Sequence, residues 1–104
     1  MATQISNGSD TEESRREIIE EMVAERGPTW AEDYKPGSFG CHELLDRTST
    51  VADMLERLVV AHPACALNPE WYALAERAAS SLRDLYQRIG AEHLDAEGVP
   101  SEKL

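Results

Sequence analysis

The sequence predicts an all-α protein: an antiparallel helical hairpin over about 41–62 and 69–93, preceded by a shorter helix over about 11–26. Three observations carry this expectation. Hydrophobic residues make up 41% of the 104 positions but aromatics only 6%. The apolar mass is therefore mostly Ala, Leu and Val, which suits helices better than a β-sandwich. Next, Leu44, Thr48, Val51, Leu55, Leu58 and His62 are spaced 4, 3, 4, 3, 4, and Trp71, Ala75, Ala78, Leu82, Leu85 and Ile89 repeat that spacing. Finally, proline and glycine fall between these periodic runs rather than inside them, apart from Gly90.

Residues 1–10 are polar and predict a disordered tail. In "SDTEESRREIIEEMVAERGP", Ser9 or Asp10 can cap a helix, with Glu12 or Glu13 at the capping-box position. Ile18, Ile19, Met22 and Val23 give that helix one short apolar face, and Gly27–Pro28 ends it. An isolated helix of this length is marginal, so docking is expected. Residues 27–40 form a connector punctuated by Pro28, Pro36, Gly37 and Gly40, with Trp30, Tyr34 and Phe39 as expected anchors.

The two long periodic runs are joined by "HPACALNP", read as a short linker, with Asn68 as N-cap and Pro69 in the first helical position. Pairing the runs antiparallel sets Leu44 level with Ile89, Thr48 with Leu85, Val51 with Leu82, Leu55 with Ala78, Leu58 with Ala75 and His62 with Trp71. Large faces small in the middle layers, as close packing prefers. Each helix carries a second apolar line: Leu45, Ala52 and Val59 on one, Tyr72, Ala79 and Tyr86 on the other. A two-helix hairpin cannot cover both lines. Either the N-terminal helix docks there, giving a three-helix bundle, or a second chain does, giving a dimeric four-helix bundle. The expected organisation is one helical domain over 11–94, with a second disordered tail over 95–104.

Charge excludes some functions. The net charge is −10, divided as −4 over 1–27, −1 over 28–40, −3 over 41–94 and −2 over 95–104. Such a chain lacks the basic face that direct nucleic-acid binding or adsorption to an anionic membrane requires. No run approaches the ~20 apolar residues of a membrane span, and the first residues predict no secretory leader. Two well-separated cysteines, Cys41 and Cys65, fit a cytoplasmic protein with reduced thiols.

The densest chemistry lies in "SFGCHELLDR", residues 38–47. Cys41 falls near a helix N-terminus, where a thiolate is stabilised, or else plugs the helix end as a small hydrophobe. His42 and Asp46 share a helical face, Glu43 and Arg47 the next, and the antiparallel levels bring Tyr86, Glu92 and His93 close. His42, Asp46 and His93 are ligand types for zinc, but their spacing matches no metal signature, and the Glu-x-x-His pairs of a di-metal bundle are missing. The expected role is a polar lock at the helix ends, with no metal or cofactor. "GSFG" offers amides to an anion only as any glycine-bearing loop does. His62 and Cys65 lie about 30 Å along the helix from Cys41 and His42, too far for one intrachain site, and are expected as a ring stacked on Trp71 and a loop filler. No nucleophile elbow, phosphate-binding loop or HExxH is present, so no enzyme is predicted.

"PGSFGCHELLDR" followed by "HPACALNPEWYALAERAASSLRDLYQRIG" resembles a pattern shared by short uncharacterised bacterial proteins, over roughly the second half of the chain. That resemblance implies no activity and transfers no functional residues. The first expectation is thus a regulator or adaptor working by protein–protein contact through Leu45, Ala52, Val59, Tyr72, Ala79 and Tyr86, as a homodimer or with a protein partner. A second reading is a mobile-element inhibitor that offers an acidic face to a nucleic-acid-binding protein, as DNA mimics and some anti-CRISPR proteins do. The interleaved Arg47, Arg57, Arg77, Arg83 and Arg88 weigh against it. A third is a small metal or redox protein using the His42 end.

Overall fold

A computed structural model describes residues 8–96, all helix or turn with no strand among them. The chain divides into two compact units, Met1–Glu32 and Asp33–Leu104, where the sequence suggests one body over 11–94. The first unit holds α1 (Gly8–Arg26). Gly8, Ser9 and Asp10 belong to this helix rather than to a tail, and Ser9 and Asp10 therefore lie within its first turn instead of capping it. Arg15 grips both oxygens of Glu12 at 3.0 and 2.7 Å, and this hydrogen bond holds the Glu12 carboxyl below its ordinary pKa. The Gly27 N–H closes the helix by donating to the Val23 carbonyl at 2.9 Å, as Gly-Pro punctuation predicts.

A 3-10 turn (Trp30–Asp33) leads into the second unit. There α2 (Phe39–Leu55) runs into a π-helical turn (Glu56–Val60), a five-residue helix α3 (Pro63–Leu67) forms the tip, and α4 (Pro69–Ala96) returns antiparallel. Three boundaries differ from the sequence reading. Ser38 caps α2 through its side chain, which starts the helix at Phe39. "PACAL" is itself helical, because the His62 ring nitrogen Nδ1 accepts from the Ala64 N–H at 3.0 Å with Pro63 next in line. His62 is therefore a cap. The expected cap at Asn68 is present, its Oδ1 accepting from the Glu70 and Trp71 N–H groups at 3.0 and 3.1 Å. Helix α4 extends through Asp95 and Ala96; the proposed tail beyond, and residues 1–7, lie outside the described residues.

The hairpin levels follow the predicted pairing closely: Leu45 lies against Gly90 and His42 beside His93. The rotation of the helices does not. Ala52 and Ala79, expected on outer interaction lines, are closed inside the hairpin, Ala79 with no exposure at all. Leu45 is half-buried with them. Leu44, Val51, Leu58, Trp71 and Leu85, expected in the seam, stand exposed. The cause is size: alanines let two backbones approach closely, and the helices turn their small residues toward each other. Of the predicted seam, Thr48 is buried and returns its hydroxyl hydrogen to the Leu44 carbonyl at 2.8 Å, and Leu55, Ala75, Leu82 and Ile89 are half-buried. The π turn adds a second shift. Its extra residue places Val60 inward and leaves Val59 exposed. Tyr72 and Tyr86 are also exposed. Phe39 is 81% exposed and anchors nothing.

Candidate functional site

Two places gather the side chains singled out by the sequence, one at each end of the hairpin. At the open end the connector is stitched to the last turns of α4. Gly37 adopts a φ of +92°, and its N–H donates to His93 Nδ1 at 2.9 Å. His93 is only 1% exposed, on the inward side of α4. The bond requires Nδ1 to be the unprotonated ring nitrogen. A Cβ on Gly37 would press on Ala96 at 3.1–3.3 Å, so this position needs glycine both for its backbone and for the close approach. One residue later, Ser38 Oγ accepts from the Cys41 N–H at 3.1 Å while its carbonyl accepts from the His42 N–H at 3.0 Å. Gly40 lets the start of α2 lie on the Asp33 carbonyl and the Tyr34 ring; a Cβ there would collide with both.

The predicted cluster is thus only partly assembled. His42 and His93 come together, with ring centroids 5.6 Å apart and planes tilted by 43°. Asp46 is exposed, and no ion pair joins it to His42 among the described residues. Tyr86 is exposed and is not hydrogen-bonded into the cluster. Two imidazoles do not make a metal centre, and no three His, Cys, Asp or Glu side chains converge as a ligand set among the described residues. Cys41 is buried, so its thiol fills space at the base of α2. Glu43 and Arg47 form the expected surface pair at 2.9 Å.

The other end is a groove of about 440 Å³, lined by Leu58, Val59, His62, Cys65, Trp71 and Leu74 among others. The π turn and α3 build it, by turning Leu58 and Val59 outward and by folding Cys65 under the tip. Its walls are almost wholly apolar. It continues into a larger feature. Leu44, Val51 and Leu58 recur every seven residues along α2, and Trp71, Ala78 and Leu85 do so along α4. Leu44 meets Leu85 and Ile89, with Arg88 and Glu92 beside them, in a shallow depression near the open end, and Leu58 meets Trp71 and Leu74 at the tip, so both rows lie on one side of the hairpin. The opposite side holds Asp53, Arg57, Glu56 and Arg83, with Asp53 paired to Arg57 at 2.9 Å and Glu56 paired to Arg83 across the helices. One flank is therefore apolar from the tip through its middle, with Glu43, Arg47, Arg88 and Glu92 bordering its open end, and the other is ion-paired.

Sequence spacing located the residues of this flank except Leu74, and assigned them to the interior. A signal for the true arrangement was present: the line holding Ala52 and Ala79 is the one that permits the closest approach. No protein-family model matches the chain, and no curated protein or solved structure shows significant similarity to it.

Proposed function

We propose that this is a non-catalytic, acidic helical protein of the cytoplasm, a regulator or adaptor that works by protein–protein contact through the apolar flank of its hairpin. The observation that carries this reading is the exposure of Leu44, Val51, Leu58, Trp71, Leu74 and Leu85, each between 44 and 58% accessible along one continuous side. By the usual areas of such side chains these six present roughly 600 Å² of apolar surface, at the upper limit for a soluble monomer. Helix-face docking, with anchors repeating at three, four and seven residues, is the recognition mode such a surface serves. The groups best suited to chemistry are committed elsewhere. Ser38 and His62 cap helices, His93 holds Gly37, and Cys41 is buried. Free Cys41 and Cys65 suit a reducing compartment.

A photo-crosslinking amino acid placed at Leu58 or Leu85 in living cells tests the reading. Discrete covalent adducts are expected from these positions and not from Asp53 or Arg57 on the paired flank. Equal adducts from both flanks, or none from Leu58 and Leu85, would overturn it.

A further inference from the structure

We infer that the occupant of the apolar flank is a second copy of this chain, the two hairpins closing face to face into a four-helix bundle; this rests on the contact reading above and names its partner. Three features point to a second copy, the first being stability. The fully buried residues of the hairpin, Cys41, Thr48, Ala52, Val60, Ala79 and His93, are mostly small, and Leu45, Leu55, Leu82 and Ile89 are only half-buried. A unit of this size ordinarily needs a staple. Neither cysteine is in a disulfide, and no metal-ligand cluster exists among the described residues. Leu44, Val51, Leu58, Trp71, Leu74 and Leu85, which could add to that core, stand outside it. A hairpin in that position requires a companion whenever it is folded, and the companion present at every synthesis, in equal amount, is another copy.

The second feature is area. The six exposed side chains with their polar rim approach the ~800 Å² per partner that a standard stable interface buries. The third is charge. A chain of net charge −10 repels its twin unless the touching faces are free of that charge. Here the middle of the flank, from Val51 to Leu58 and from Leu74 to Leu85, is apolar, while Asp53, Glu56 and their arginine partners lie on the far side. The apolar middle of such a face can meet itself across a two-fold axis without opposing like charges.

The test is sedimentation equilibrium of the full chain over a range of concentrations. The expected species is a dimer, at twice the 11.6 kDa chain mass. Leu85→Glu and Leu58→Glu should each raise the dissociation constant about a hundredfold or more by burying a charge, whereas Asp53→Ser on the paired flank should leave it unchanged. Because a forced monomer is expected to lose helix, the wild-type chain supplies a second readout. Cys65 lines the groove, so its alkylation by a bulky maleimide should be slow in the dimer and accelerate on dilution through the dissociation constant, with buried Cys41 slow throughout. A wild-type chain that sediments as a folded monomer, a Leu85→Glu chain that remains dimeric, or Cys65 labelling independent of concentration would each overturn the inference. A monomer that still cross-links to another protein from Leu58 would overturn it while leaving the contact reading standing.

Discussion

Gly40 stands in the first turn of α2, where alanine would be the better helix former by about 1 kcal/mol. Its missing side chain is nonetheless what allows the Asp33 carbonyl and the Tyr34 ring to lie against the helix. Gly40→Ala should therefore destabilise the protein by about 1–3 kcal/mol, the cost of overpacking, and thermal unfolding will read the sign directly. Ser38→Ala should cost about 1 kcal/mol through loss of the cap on Cys41. The lock at this end was half legible in the sequence. The string "PGSFGCHE" shows a turn, a cap and a helix start. Its other half, His93, lies 56 residues away and bonds a backbone N–H, which no side-chain pattern encodes. His42, Asp46 and His93 looked like three ligands on paper because spacing along a helix fixes a face but not a convergence point.

At the scale of elements, helix ends were read well where their chemistry is local. Asn68–Pro69 caps α4, and Gly27 stops α1, because the groups that act are within four residues. The helix "PACAL" was missed because two flanking prolines resemble a linker and five residues carry no periodicity. The rotation of the hairpin was misjudged for a different reason. Each long helix has two adjacent apolar lines, and periodicity alone does not say which one turns inward. The lines holding Ala52 and Ala79 won, since small side chains give the backbones their closest approach. That claim has a consequence: Ala79→Leu inserts bulk where no space remains and should cost at least about 1–3 kcal/mol, read from urea unfolding. Leu74→Ala, on the exposed flank, should leave packing within the hairpin intact and act by weakening association.

For the whole molecule, charge and apolar surface act in opposition. In the proposed dimer, two chains of net charge −10 would repel one another at a distance and be drawn together by their apolar flanks on contact. Raising the salt concentration screens the repulsion more than it affects the apolar contact, so dimer formation should strengthen with added sodium chloride. Attraction between an acidic face and a basic partner, as a nucleic-acid mimic requires, would weaken under the same change; light scattering across a salt series separates the two.

The proposed dimer requires that a second copy cover the α2–α4 flank whenever the hairpin is folded. Thermal unfolding of the wild-type chain, followed by circular dichroism over a roughly hundredfold range of concentration, tests it most directly because mass action ties the stability of an obligate dimer to protomer concentration. A melting temperature that climbs steadily with concentration is the predicted result. A single sharp transition at one temperature throughout the range would contradict it.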